Sequence, residues 1–140
     1  MFTLELYNAL WLFVVIFMLH DFEEIIVVEK WSMRTESKIK DTNSWMIKQV
    51  WKFWNINSYS FAKRDVFIFL TISTITFIKN ITLDSSWSST LYLSFLIFVL
   101  VHNIAHILQT FLLKTYTPGL YTSILLVSPY TIYLLIRLLS

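Results

Sequence analysis

The stretch Ala9–Glu24, ALWLFVVIFMLHDFEE, decides the fold class: eleven consecutive apolar residues run directly into a histidine and three acids. A helix needs about 20 largely apolar residues, at 1.5 Å each, to cross the roughly 30 Å hydrocarbon core of a bilayer. Ala9–Leu19 alone is too short for that. The apolar pattern resumes at Ile25–Val28, so a span over about residues 6–28 carries His20, Glu23 and Glu24 inside it or at its rim. The stretch also lacks a basic leading region and a small-residue cleavage site, so it reads as a retained span rather than a signal peptide.

Composition extends this reading to the whole chain. Of 140 residues, 56% are hydrophobic and only 14% charged, far more apolar surface than one small soluble core could hide. A single glycine, Gly119, and two prolines, Pro118 and Pro129, leave few chain reversals and imply long helices. Three further windows of spanning length follow at about residues 62–81, 90–113 and 119–139. The third opens behind Asp84 and the Ser-rich stretch 85–89, a plausible helix cap, and the fourth carries Pro129 as a kink. Between the first two spans lies a polar linker from Glu29 to Asn43. It leads into a short helix over about 44–57, in which Ile47, Val50, Trp51 and Trp54 recur at helical spacing opposite Lys48, Gln49 and Lys52. Such a basic, Trp-rich amphipathic helix is expected to lie in the headgroup layer. The expected fold is therefore an all-α polytopic membrane protein, one domain over 1–140, with four transmembrane helices and an interfacial helix.

Eight of the eleven Lys and Arg residues fall between Lys30 and Arg64. By the positive-inside rule this basic loop, residues 29–64, is cytoplasmic, and four spans then put both termini outside. The expected location is a plasma membrane, of bacterial type. The absence of cysteine removes disulfides and thiolate ligands, so any metal needs His, carboxylate or carbonyl donors. Basic residues interleaved with Trp at a membrane edge give no support for nucleic-acid binding.

All three histidines fall within expected spans, and topology puts them at similar depth. His20 and Glu24 are four residues apart on the first span, with Glu23 three from His20; His102 and His106 are four apart on the third. Each set therefore shares a helix face, and the two parallel spans can bring them together. Imidazole nitrogens and a carboxylate oxygen converging at about 2.0–2.2 Å suit zinc or another divalent ion, with His20, Glu24, His102 and His106 as ligands. The same groups could act without metal, a buried glutamate serving as base and histidines stabilising an oxyanion. A third reading makes the cluster a proton or cation relay in a small transporter. Against these stands a bland one, in which Glu23 and Glu24 are interface anchors paired with Lys30 or Arg34. Asp21 projects away from this face, toward the headgroups or the basic loop, while Asp65 and Lys79 bracket the second span as interfacial residues. Since a charge near the bilayer centre costs about 2.5–3.5 kcal/mol, several ionisable groups at one depth favour function.

His20-Asp21-Phe22-Glu23-Glu24 resembles the HxxEE motif of the HXXEE-domain membrane proteins, a family also marked by a later histidine and a YxPG motif. His102 or His106 fits the histidine and Tyr116-Thr117-Pro118-Gly119 fits YxPG, in the expected order. The resemblance covers nearly the whole chain and implies an integral membrane protein whose polar motifs suggest an enzyme, without supplying a substrate. It adds Tyr116, Pro118 and Gly119 to the site-shaping residues, with the Tyr116 hydroxyl reaching the site from the cytoplasmic side. The leading expectation is a metal-dependent, membrane-embedded hydrolase with His20, Glu23, Glu24 and Tyr116 as catalytic groups. Its substrate would be a lipid, lipid-linked molecule or membrane peptide entering from the inner leaflet.

Overall fold

The computed structural model describes residues 4–140; the first three residues of the expected domain lie outside the described residues. The chain is helical, with no strand among the described residues. Five helices follow in order: α1 (Leu6–Lys40), α2 (Trp45–Trp54), α3 (Ser58–Ile81), α4 (Ser86–Leu113) and α5 (Leu120–Leu139). Of these, α4 and α5 are long and apolar enough to cross a membrane. Helices α1 and α3 have the length but carry more charge, so length and composition mark two membrane-crossing helices where the sequence led us to expect four.

The polar linker expected from Glu29 to Asn43 is instead mostly helix, because α1 runs unbroken for 35 residues to Lys40. No glycine or proline interrupts it, and Glu29, Lys30, Met33, Arg34, Glu36 and Lys38 are good helix formers. Lys40 pairs with Glu36 at 2.8 Å, and Lys38 and Lys40 complement the dipole in the last turn. That extension changes the role of α2. Its expected apolar face packs on the bundle: Trp54 is buried against Trp31, Val28 and Phe61, with Val50 and Trp51 packed beside them, and the Trp51 indole donates to the Ser32 carbonyl. Trp45, Met46 and Phe53 are the large apolar residues of α2 left exposed, beside Lys48, Gln49 and Lys52.

Helix starts follow local capping. The Asn57 side chain accepts the Ser60 N–H at 2.8 Å, and the Glu29 carboxylate accepts that of Ser58 at 3.1 Å, which opens α3 ahead of the expected residue 62. Ser85 occupies the N-cap of α4 but makes no side-chain cap bond; Ser88 donates instead to the Thr82 and Ser85 carbonyls. The expected kink at Pro129 takes the form of a π-helical turn over Ser123–Val127, in which the Ser128 N–H reaches the Ser123 carbonyl. Proline has no N–H to donate and its ring crowds the carbonyl four residues back, so the helix widens ahead of it.

Helices α1 and α4 each run alongside both α3 and α5 and meet one another only through side chains such as Phe13 and Phe95, so they face each other diagonally across a four-helix bundle. Helix α2 crosses one end and touches both α1 and α4. Two apolar cores result. Leu10, Phe13, Tyr92, Leu96, Val127 and Leu134 fill the larger one, and Val28, Trp31, Trp54 and Phe61 fill the smaller one under α2. Residues 20–24 of α1 sit between the two.

Candidate metal centre

Across that diagonal, one ligand atom each from His20, Glu24, His102 and His106 lies within 4.8 Å of the others. His106 Nε2 stands 2.9 Å from His102 Nε2 and 3.1 Å from Glu24 Oε1, and His20 Nε2 stands 3.6 Å from the same oxygen. Ligands about 2.0–2.2 Å from an ion at tetrahedral angles are roughly 3.3–3.6 Å apart, so the three separations bracket the spacing a tetrahedral ion imposes. His20, Glu24 and His106 are all buried, at 0%, 5% and 2% exposure, which leaves bulk water unable to satisfy them. The group could hold a metal ion.

The surroundings assign a tautomer to His20. Thr122 Oγ1 donates to Glu23 Oε2 at 2.6 Å, and a hydroxyl has one proton, so at 2.9 Å it accepts from His20 Nδ1–H. The proton on Nδ1 leaves the Nε2 lone pair facing Glu24 Oε1, and neither atom has a hydrogen-bond donor. Metal-binding imidazoles are usually oriented by a far N–H given to a carboxylate, carbonyl or water; here the Thr122 hydroxyl takes that place and is itself held by Glu23.

Glu23 is placed differently from Glu24. Its carboxylate accepts the Thr122 N–H at 2.8 Å, the Tyr121 N–H at 3.3 Å and the Tyr116 hydroxyl. These amides open α5, whose N-cap Gly119 offers no side chain, so Glu23 supplies the anionic cap that the helix lacks. Tyr116 thus reaches the back of the site through Glu23 rather than the cluster itself, and its hydroxyl is held well above the ordinary tyrosine range by burial and by that bond. Its carbonyl accepts the Trp31 indole, which ties the turn to α1.

The turn before α5 roofs the cluster. Gly119 adopts φ +79°, and a Cβ there would stand 2.7 Å from both Glu24 Oε1 and His20 Cε1. Only glycine permits that backbone and that approach. Thr117 is fully buried and bonds to Thr110 at 2.6 Å, while both hydroxyls approach the His106 carbonyl. Trp54, 5.7 Å from the His106 ring, donates to Gln109 at 2.9 Å and so closes the α2 side.

Three residues depart from the positions sequence gave them. Asp21, expected to project toward headgroups or the basic loop, is buried and lines a cavity of about 840 Å³ together with Glu24, His102, His106 and Arg64. Asp65, expected at the interface, is buried at 4% exposure beside Arg64, at 3.9 Å. Lys79 is also buried, donating to Leu83 O and Ser89 Oγ at the other end of the bundle. Thr122 escaped the sequence reading altogether. The only signal for it was a hydroxyl residue in the first turn after Pro118-Gly119.

Fold and site together define an all-helical protein with two membrane-crossing candidates and a buried His/Glu cluster. The chain belongs to the HXXEE family: the family model described as "Protein of unknown function with HXXEE motif" matches residues 11–134. Neither a curated protein nor a solved structure matches the chain.

Proposed function

We propose that this protein is a metal-dependent hydrolase embedded in the membrane, with one divalent ion held by His20 Nε2, Glu24 Oε1, His102 Nε2 and His106 Nε2. The observation that carries the metal is the convergence of these four electron-pair donors, three of them on buried side chains, with at most one proton shared between the two facing Nε2 atoms. Three imidazoles and one carboxylate suit zinc, as they do other borderline divalent ions, and zinc is the ion carried into the tests. With four protein ligands in place, Lewis-acid chemistry would need a fifth position open toward the cavity, at which a carbonyl or a water would be polarised. Asp21, which lines that cavity and has an unpartnered Oδ2, is the group to take the water's proton. Glu23, Thr122 and Tyr116 hold His20 in its working tautomer.

Placement in the membrane belongs to the same reading. Within residues 6–28 of α1 and 65–81 of α3, the charged or imidazole side chains of His20, Asp21, Glu24, Asp65 and Lys79 are buried and that of Glu23 is half-buried, while Leu12, Val15, Leu19, Phe22, Val66, Phe67, Leu70 and Phe77 point outward. A lipid-facing surface that is apolar around a polar interior supports α1 and α3 as spans beside α4 and α5. The basic segment 29–64 then faces the cytoplasm, with the cluster near that face and both termini outside.

Elemental analysis of protein purified without chelator tests this directly. About one zinc per chain is expected, with ester or amide hydrolysis lost on chelation and regained on adding zinc. No bound metal, together with a melting temperature indifferent to zinc, contradicts it. Hydrolysis that survives chelation would favour the metal-free version, in which the 2.9 Å contact of His102 and His106 is a proton-sharing pair and Glu24 is the base.

A further inference from the structure

The cavity that adjoins the metal centre is much larger than an ion and its water require. It extends between α3 and α4, and along α4 its wall runs from Leu91 to Gln109. From Leu91 to His106 the helix advances about 22 Å at 1.5 Å per residue. One leaflet contributes roughly 15 Å to a hydrocarbon core of about 30 Å, so the groove is long enough to take a chain that spans a leaflet. Its two ends differ in chemistry. Leu91, Phe95, Phe98, Ile72 and Ile75 make the far end apolar, whereas Asp21, Glu24, Arg64, His102 and His106 gather at the near end.

The near end also constrains the head. The Arg64 guanidinium lies on the rings of Phe61 and Phe53, at 4.1 and 4.9 Å, and forms part of the groove wall, where it can donate to an oxygen. Around it stand the carboxyls of Asp21, Glu24 and Asp65, all buried. One divalent ion and Arg64 balance these three acids, so an anionic head would leave a buried charge uncompensated, whereas an uncharged carbonyl adds none.

Resting on the metal-dependent reading above, we infer that the α3–α4 groove seats the hydrocarbon chain of a long-chain carboxylic ester or amide, its carbonyl lying at the Glu24–His106 end. The chain enters sideways from the bilayer, and the head stops where the apolar wall ends. Ser94, exposed in the groove wall one turn from its Leu91 end, marks the point at which added bulk would cut the groove short of a long chain.

The test is photolabelling of zinc-loaded protein with a hexadecanoyl ester carrying a diazirine at mid-chain. Labels are expected on groove residues such as Thr71, Ile75 and Phe98. Excess unlabelled hexadecanoyl ester should suppress them at least about tenfold, and a butanoyl ester should not, since it lacks the methylenes the groove buries. Ser94→Trp should abolish labelling while keeping its zinc. Labels spread over outward residues such as Ile97 and Leu108, or competition indifferent to chain length, would overturn the inference. The chain-length comparison uses unsubstituted protein and so does not depend on the folding of Ser94→Trp. Zinc per chain, measured on the same samples, reads the centre separately: lost groove labelling with zinc intact contradicts the groove alone, and absent zinc contradicts the centre and the placement of the head with it.

Discussion

Two charged side chains of this bundle are buried to nearly the same degree, Lys79 at 2% exposure and Glu24 at 5%, and they are treated in opposite ways. Lys79 sits under the α3–α4 turn and spends its protons locally, donating to Leu83 O at 2.5 Å and Ser89 Oγ at 2.9 Å. Around it Ser88 and Thr82 bond to nearby carbonyls, so the turn closes on itself. Glu24 Oε1 has no donor, and the groups nearest to it are imidazole nitrogens from two other positions on the diagonal. A buried charge satisfied by its own turn is a structural device. Buried acceptors that converge from separate helices without donors describe a place prepared for a cation.

The contrast can be broken most sharply at Glu24. Glu24→Gln keeps the shape but removes the anionic donor; zinc affinity should fall by more than the roughly 100-fold typical of outer-shell changes, as read by titration with a competing chelator. Gly119→Ala should come next. Its Cβ would collide with Glu24 and His20 from a left-handed backbone, a strain of about 1–3 kcal/mol, so both melting temperature and zinc occupancy should drop. Unchanged zinc occupancy there would detach the turn from the centre.

Thr122→Val sharpens the comparison at the second layer. Losing the hydroxyl between His20 and Glu23 should weaken zinc by about 10–100-fold, and Thr122→Ser should restore it, because the proton order and not the methyl group is at stake. Equal affinity in both variants would mean that Glu23 serves only as the cap of α5. The smallest effect on zinc is expected from Lys79→Met. It should cost stability by about 1–3 kcal/mol through the stranded Leu83 carbonyl, the Ser89 hydroxyl keeping its bond to the Ser85 carbonyl, with metal affinity unmoved.

Much of this arrangement could be read from the chain. The i,i+4 pairs His20/Glu24 and His102/His106 fix which side chains share a helix face, and the parallel course of the first and third long helices fixes their common depth. Periodicity does not specify which helices are neighbours, and α1 and α4 turned out to be diagonal partners. That geometry is what places the cluster on the bundle axis. The extension of α1 through Lys40 was masked because a polar composition resembles a linker, although no residue in it breaks a helix. With that surface present, Trp54 and Trp51 turned inward. Asp21 was misjudged for a related reason: the face away from His20 is lipid-exposed on an isolated helix, but α3 covers it here and brings Asp65 and Arg64 alongside. Glu23 and Glu24 are adjacent in sequence and hence about 100° apart around the helix, which is enough to aim one at α5 and the other at the cluster.

The most direct measurement is X-ray absorption at the zinc edge on protein loaded with one equivalent of zinc. The account expects a first shell of three imidazole nitrogens and one carboxylate oxygen at about 2.0–2.2 Å, with the imidazole signal reduced in His102→Ala and in His106→Ala. A shell of oxygen atoms alone, or one that neither substitution alters, would contradict it.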